Sequence, residues 1–172
     1  MAKVNPKNDK KKRFRPTSRG IAYVALLRAA DRVKSYFEIL VAPFDITGQQ
    51  YNVLRILRGA EPEGLPTLTI AERMIERAPG ITRMIDRLEA KELVRRESCP
   101  EDRRCVYCRI TAKGLNLLEL LDEPVDETNA VFDGLSKAEL KQFTALLEKV
   151  QKALESKSGG INRNTGNSEE AN

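Results

Sequence analysis

Residues 78–90 read APGITRMIDRLEA and indicate a tight turn followed by an amphipathic helix. Apolar side chains recur at the spacing i, i+3, i+4 and i+7, which places them on one face of a helix. They are Ile81, Met84, Ile85 and Leu88. The opposite face carries small residues and arginines, and Pro79 disfavours the α conformation at Ala78. We therefore expect a helix with one buried face and one face offered to a partner.

A second helix is predicted immediately before this turn. Thr69 and Glu72 have the spacing of a capping box, in which each of the two side chains bonds a backbone N–H at the start of a helix. The same spacing recurs at Thr47-x-x-Gln50 and at Ser136-x-x-Glu139. Two short helices joined by a tight turn are typical of proteins that place the second helix in the major groove of DNA.

The residues after the turn and second helix indicate a β-hairpin rich in arginine. Residues 93–97 and 104–110 have the composition of two strands, with Pro100 in the turn between them. The basic side chains are Arg95, Arg96, Arg103, Arg104 and Arg109. Arginine at a hairpin tip reaches phosphates or enters a narrow minor groove. A solvated basic hairpin is the alternative, but its place directly after a helix-turn-helix favours DNA contact.

This hairpin resembles the wing of the MarR family of bacterial transcription regulators. Its signature here is Asp102-x-Arg104, five residues, then Ile110-Thr111-x-x-Gly114. Residues 73–91 resemble the helix-turn-helix of that family over their whole length, and a looser likeness extends from Gly20 to Ser156. The family usually has glycine before the Leu-Val pair that opens the wing, whereas this chain has Glu92. Because glycine permits the left-handed conformation at a helix end, we expect strain or a different exit at Glu92.

The helix that follows the turn supplies four expected DNA contacts. Gly80 would permit close approach to the duplex, and Thr82 would supply a hydroxyl contact. Arg83 would recognise a base edge in the major groove, and Arg87 would bind a phosphate.

The wing supplies a second set of expected contacts. Arg104 would enter the minor groove, held in place by a bond to Asp102. Arg95, Arg96 and Arg103 would meet phosphates. The fold class expected from these elements is mainly α with a small β-hairpin wing, a winged helix-turn-helix flanked by terminal dimerisation helices.

Composition agrees with a DNA-binding protein and argues against an enzyme. The 172 residues are 41% hydrophobic, 32% charged and 5% aromatic, with a net charge of +5. No apolar run approaches a transmembrane length and no apolar segment follows the basic start, so we expect no membrane contact and a cytoplasmic location. The chain has no histidine and no phosphate-binding glycine loop, so we expect neither catalysis nor a cofactor.

The positive charge is concentrated at two places. Residues 1–19 hold eight lysines or arginines against Asp9 alone, and residues 77–109 carry nine basic against six acidic side chains. A basic arm beside a basic surface suits DNA, whose affinity for proteins depends largely on phosphate neutralisation. The alternative for the arm is a solubilising tail.

Long amphipathic helices flank the central segment. Apolar residues spaced three and four apart recur in the first helix and in the last, which is a coiled-coil-like pattern. Examples are Tyr23, Leu26, Val33 and Phe37 in the first and Leu140, Phe143, Leu147 and Val150 in the last. In the MarR family the terminal helices form a dimer interface, so the resemblance implies a homodimer. Packing within one chain is the alternative.

These observations divide the chain into five segments. They are a disordered basic arm at 1–18, a dimerisation helix at 19–42, the winged helix-turn-helix at 43–112, C-terminal dimerisation helices at 113–156 and a disordered tail at 157–172.

The function that follows is a homodimeric transcription regulator, a repressor of nearby genes, acting on a pseudo-palindromic duplex operator. By analogy with ligand-responsive relatives, a small aromatic or amphipathic inducer would release it. Tyr23, Phe44 and Tyr51 are candidate lining residues, with core packing as the alternative for each.

Three cysteines cluster in the wing, at Cys99, Cys105 and Cys108. Neighbouring arginines would lower a thiol pKa, which makes a redox-responsive regulator one alternative function. The spacing suits a zinc ribbon poorly, so we expect no metal site, and small residues filling strand positions are the plainer interpretation.

A helical interaction adaptor that does not bind DNA is the other alternative function, and it predicts no salt-dependent affinity for duplexes.

Overall fold

The computed structural model describes residues 17–98 and 106–164, with side chains described as far as residue 157. The described chain is mostly helical and carries one small antiparallel sheet. The expected fold class is therefore confirmed. Across these residues, no helix combines the length and the apolar composition that membrane crossing requires.

Six α-helices and three strands make up the described structure. The helices are α1 (Ser18–Val41), α2 (Gly48–Arg58), α3 (Thr67–Arg73), α4 (Ile81–Ala90), α5 (Ala112–Asn129) and α6 (Lys137–Asn164). The strands are β1 (Leu65–Pro66), β2 (Val94–Ser98) and β3 (Val106–Ile110), in the sheet order β1-β3-β2. Short 3-10 helices cover Ala42–Phe44 and Ala130–Phe132.

Two of the three predicted capping boxes are present. At the start of α2, Gln50 N donates to Thr47 Oγ1 at 3.2 Å and Thr47 N donates to Gln50 Oε1 at 3.1 Å. Ser136 and Glu139 exchange the equivalent bonds at the start of α6.

The third prediction, a capping box that begins at Thr69, is wrong. The α3 helix begins two residues earlier, at Thr67, with Pro66 as its N-cap. Leu65 and Pro66 pair with β3, so the chain leaves the sheet at Pro66. The fixed φ of proline then suits a helix that starts at the next residue. A sheet contact that is distant in sequence overrides the local signal.

The described residues form two compact units, which divide within α5 after Pro124. This division falls later than the boundary after residue 112 that the sequence predicts. The α5 helix continues through Pro124 to Asn129.

The first unit has a core to which α2, α3, α4, α5 and the sheet all contribute. Its fully buried side chains include Leu54, Leu57, Ile70, Ile85, Leu88, Val94, Leu118 and Leu121. The predicted apolar face of α4 is confirmed, since Ile85 and Leu88 are fully buried and Ile81 and Met84 are half-buried. Burial of each such side chain stabilises the fold by about 1.5–3 kcal/mol. This core fixes which face of α4 points outward.

The second unit holds the end of α5 and all of α6. The Phe132 and Phe143 rings pack together, with their centroids 6.3 Å apart. The α6 helix continues to Asn164, past the boundary at residue 156 that the sequence predicts. Once a helix is nucleated, each added residue also adds a hydrogen bond, so a polar sequence need not end it.

Candidate nucleic-acid interface

The outward face of α4 is basic. Thr82, Arg83 and Arg87 are all exposed, as the helical spacing predicts. Arg77, Arg83 and Arg87 also line a cavity of about 560 Å³ beside the start of α4, together with Lys34 and Glu38 of α1. The sequence did not reveal this cavity, because α1 and α4 are far apart along the chain.

Gly80 is the N-cap of α4 and has ordinary negative φ. A Cβ atom placed there would meet nothing within 4 Å in the described chain. No contact in that part of the protein therefore explains a glycine at this position. Close approach to DNA stays the hypothesis for this glycine.

The turn before α4 is tied to the first two helices. Glu76 accepts hydrogen bonds from Lys34 Nζ at 2.9 Å and from Gln49 Nε2 at 3.1 Å. These bonds, with the charge of Lys34, hold the pKa of Glu76 below its usual value. Ile75 N also donates to Asn52 Oδ1 at 3.0 Å. Contacts from both α1 and α2 thus fix the turn that sets the position of α4.

The exit from α4 takes the left-handed conformation at Glu92, whose φ is 60°. Leu93 N donates to Leu88 O at 2.9 Å and Glu92 N to Glu89 O at 2.8 Å, which are the two bonds of a Schellman motif. The expected strain is therefore present, because a side chain occupies a position that favours glycine. The alternative of a different exit is wrong, since the helix ends with the usual pair of bonds.

Thr111 and Gly114, in the last part of the wing signature, stabilise the exit from α4. Thr111 Oγ1 donates to Glu92 O at 2.7 Å and accepts from Gly114 N at 3.1 Å. A Cβ at Gly114 would collide with the carbonyl oxygen of Leu93 and with the side chain of Ile110. The Ile-Thr-x-x-Gly pattern thus has a packing reason, because it joins the start of α5 to the end of α4.

The two wing strands pair in antiparallel register, with Val94 opposite Ile110 and Arg95 opposite Arg109. Arg95 is exposed and its Nη2 lies 3.1 Å from Glu97 Oε1, while Arg109 Nε lies 2.7 Å from Glu97 Oε2. The wing tip, residues 99–105, lies outside the described residues. The expected roles of Asp102, Arg103 and Arg104 therefore stay predictions, as does their mutual contact.

Arg96 is placed differently from its expected role. Its Nη2 lies 2.6 Å from Asp86 Oδ1 and its Nη1 lies 2.5 Å from Glu89 Oε2. Both terminal nitrogens are thus engaged by carboxylates of α4 rather than directed away from the protein. This arrangement does not fit the expected phosphate contact of Arg96. The pairing was not foreseen, because Asp86 and Glu89 lie ten and seven residues earlier in the chain.

Cys108 does not have the environment of a reactive thiol. It is fully buried in β3, and its Sγ lies 3.6 Å from Thr67 Oγ1. Burial raises its thiol pKa above the usual value and outweighs the opposing effects of Thr67 and Arg96. Arg96 thus acts in the expected direction, but the expected net lowering of the thiol pKa is wrong for Cys108, which fills a strand position. Cys99 and Cys105 lie outside the described residues, and within residues 17–98 and 106–164 no cluster of metal-ligating side chains occurs.

The three candidate ligand-lining residues lie in different surroundings. Tyr51 is a core residue that packs edge-on against Phe37, with ring centroids 5.1 Å apart, and its hydroxyl accepts from Arg55 at 3.0 Å. Tyr23 is exposed on α1. Phe44 lines a cavity of about 410 Å³. The other lining residues are Asp45, Lys91, Leu93, Lys113, Asn116, Leu117 and Leu120.

A helix-turn-helix followed by a two-stranded wing, with an exposed basic face on the second helix, defines a winged-helix DNA-binding protein. Comparison with known proteins identifies the family. The MarR family model matches residues 46–106. The HTH-type transcriptional regulator FarR of Neisseria gonorrhoeae is 31% identical over 137 residues, which cover 77% of this chain and 92% of FarR. The homoprotocatechuate degradative operon repressor of Escherichia coli is 31% identical over 126 residues, covering 73% and 84% respectively.

Solved structures agree with these sequence matches. A MarR transcription factor from Planctomyces limnophilus is 42% identical, with a TM-score of 0.61, and the match covers 79% of this chain and 98% of that protein. The DNA complex of MepR from S. aureus is 27% identical, with a TM-score of 0.70, covering 76% and 97%. The chain belongs to the MarR family. It is a DNA-binding transcription regulator and not an enzyme.

Proposed function

We propose that this protein is a homodimeric repressor that binds a pseudo-palindromic operator in double-stranded DNA. The observation that carries the proposal is the exposed basic face of α4, held outward by the fully buried Ile85 and Leu88. MepR and E. coli MarR, which resemble this chain, have been crystallised with DNA. In this proposal Arg83 contacts base edges, while Thr82 and Arg87 position α4 on the duplex.

The wing and the arm would add contacts that do not depend on α4. Arg95 is exposed and suited to a phosphate, and Arg103 is proposed for the same role. Arg104, ordered by Asp102, would enter the minor groove. Residues 1–18 would add phosphate contacts without choosing the sequence.

Exposed apolar side chains on the long helices support the dimer. On α1 they include Ile21, Val24, Leu27 and Ile39, and on α6 they include Leu140, Phe143 and Val150. Apolar surface of this extent on a single chain favours a partner. A two-fold dimer would also present two α4 helices to the two halves of an operator.

Sedimentation velocity tests the dimer. Leu27→Glu places a charge on the exposed face of α1, so we expect it to shift the protein from dimer to monomer. Leu68→Glu is the matched control, because Leu68 is exposed on α3 and away from α1 and α6 in the sequence. A wild-type monomer, or a dimer unaffected by Leu27→Glu, would contradict the proposed interface.

Selection of bound duplexes from a random pool tests operator binding. We expect one enriched pseudo-palindrome, and Arg83→Ala should weaken binding to it by about 1–3 kcal/mol. Lys137→Ala, which removes one exposed charge at the start of α6, should leave binding unchanged. Absence of any salt-dependent duplex affinity in the wild type would favour the interaction adaptor instead.

The cavity beside Phe44 supports a second part of the proposal, a small inducer. Its volume of about 410 Å³ lies within the range of small-molecule sites. Its walls combine Phe44, Leu117 and Leu120 with two lysines. DNA binding by BpsR of Bordetella bronchiseptica, a structural relative, is regulated by 6-hydroxynicotinic acid. We therefore propose an aromatic or amphipathic acid as the inducer class.

Operator release by a panel of aromatic acids, including 6-hydroxynicotinic acid, tests this site. Leu120→Trp should fill the cavity and abolish release while leaving operator binding intact, since Leu120 is exposed and tolerates a larger side chain. Leu68→Trp is the matched control. Equal release from the wild type and from Leu120→Trp would place the inducer elsewhere.

A further inference from the structure

One wing side chain, that of Arg96, joins β2 to three positions of α4. The two carboxylates bound by Arg96, on Asp86 and Glu89, share one face of α4 with Thr82. Arg96 Nη2 also donates to the carbonyl oxygen of Thr82 at 3.4 Å. The backbone N–H of Arg96 donates to Glu89 Oε1 at 3.2 Å. A single residue therefore fixes the wing strand against three positions of α4.

The same contacts change the charge that α4 offers. Asp86 lies between Arg83 and Arg87 in sequence, and all three side chains are exposed. An unpaired carboxylate at this place would repel DNA phosphates and weaken binding. The Arg96 guanidinium, whose side chain is only 25% exposed, lies against this carboxylate and that of Glu89. Arg95 also has a carboxylate partner, Glu97 Oε1 at 3.1 Å from its Nη2, but its side chain is 61% exposed.

We propose that Arg96 is a positioning residue for DNA binding, which sets the wing against α4 and neutralises Asp86 and Glu89 without touching a phosphate. This inference rests on the proposed binding of duplex DNA by α4 and the wing. It distinguishes two neighbouring arginines that look equivalent in the sequence. Arg95 is the phosphate contact, and Arg96 acts through α4.

A double-mutant cycle on operator affinity tests the proposal. Arg96→Met in the natural background leaves two carboxylates unpaired, so we expect affinity to fall about tenfold. In the Asp86→Asn, Glu89→Gln background no charge needs neutralising, and the same substitution should cost less than about threefold. A phosphate contact would instead be lost equally in both backgrounds, and equal losses would overturn the proposal.

Arg95→Met is the matched control in both backgrounds. It should weaken binding equally in each and lower the slope of log affinity against log salt by about 0.9, the value for one lost phosphate contact. In the Asp86→Asn, Glu89→Gln background, Arg96→Met should leave that slope within about 0.3 of the background's own value, because there it removes no phosphate contact and unpairs no carboxylate. A slope change for Arg96→Met in that background as large as that for Arg95→Met would contradict the positioning role.

Urea unfolding of the free protein provides a readout that needs no DNA. Arg96→Met should destabilise the natural background more than the Asp86→Asn, Glu89→Gln background. If the wild type binds no duplex, the proposed function fails while this cycle still measures the contact. If the wild type binds and both cycles are additive, only the inference fails.

Should Arg96→Met not fold, Arg96→Lys keeps the charge, and its affinity loss should again shrink in the Asp86→Asn, Glu89→Gln background.

Discussion

Substitutions of Glu92 should measure the backbone strain at the end of α4. Its φ of 60° lies in the left-handed region, where the side chain crowds its own backbone. Its carboxylate pairs with Lys113 Nζ at 2.9 Å, and this bond lowers the pKa of Glu92. The two side chains are 81% and 60% exposed, so we assign the pair no net stabilisation. The backbone conformation is therefore what a substitution should reveal.

The expected size of the effect follows from two opposing terms. A side chain in the left-handed region costs about 1–2 kcal/mol, which glycine avoids. Glycine costs about 0.5–1 kcal/mol more conformational entropy than alanine on folding. The difference ranges from about 0 to 1.5 kcal/mol, so Glu92→Gly should be more stable than Glu92→Ala by about 0.75 kcal/mol at the midpoint. For a chain of this size that difference corresponds to roughly 1–4 °C in Tm.

Thermal unfolding at one fixed protein concentration compares the variants, because association makes Tm depend on concentration. Lys113→Ala is the control, since it removes the ion pair and leaves φ unchanged, and its Tm should match that of the wild type. Operator affinity should not change in Glu92→Gly, because the bond from Leu93 N to Leu88 O does not involve the side chain. A Glu92→Gly variant less stable than Glu92→Ala would refute the reasoning.

Other substitutions test the DNA-facing surface and the core. Gly80→Ala should cost no more than about 1 kcal/mol of stability, because alanine is a poorer N-cap although its Cβ meets no neighbour, and it should weaken operator binding in a titration; unchanged affinity would remove the close-approach role. Arg83→Ala should relax the base preference at one position of each half-site, and selection experiments with the variant would show it. Native Cys108 should resist iodoacetamide at pH 8 and react only in urea, because the side chain is buried and burial raises its thiol pKa; peptide mass spectrometry showing alkylation at Cys108 itself in the native protein would contradict this. Bonding to Arg58 holds the pKa of Asp122 below its ordinary 3.8, so its contribution is present at neutral pH and lost as the pH falls through the folded-state pKa. Asp122→Asn should therefore lower stability more at pH 7 than at pH 3 in urea titrations, and equal losses at both would rule out the linkage.

The success of the sequence prediction for α4 and the wing has a simple cause. The spacing of Ile81, Met84, Ile85 and Leu88 reports a helix face within ten residues, and the structure buries that face. Strand composition likewise located β2 and β3 to within two residues at their described ends. These signals are local, so no distant contact was needed to interpret them. The family resemblance added the wing signature, whose Thr111 and Gly114 contacts the structure explains.

The failures involve segments that meet only after folding. Thr69 lost its predicted capping role because β1 pairs with β3, which lies some forty residues later. Cys108 was expected near arginines, yet what determines its chemistry is the packing that buries it. Arg96 was grouped with Arg95 because both are basic and adjacent, although only one of them reaches back to α4.

The sequence by itself determined the helix-turn-helix, the wing and the family, because hydrophobic spacing, turn residues and motif residues act over short distances. The tertiary structure alone decided that Arg96 is paired with carboxylates of α4, where a cavity opens beside Phe44 and how the turn before α4 is held by Lys34 and Gln49. Those features depend on side chains from distant segments meeting at hydrogen-bond distance. Such meetings follow from packing around a shared core, which no local pattern specifies.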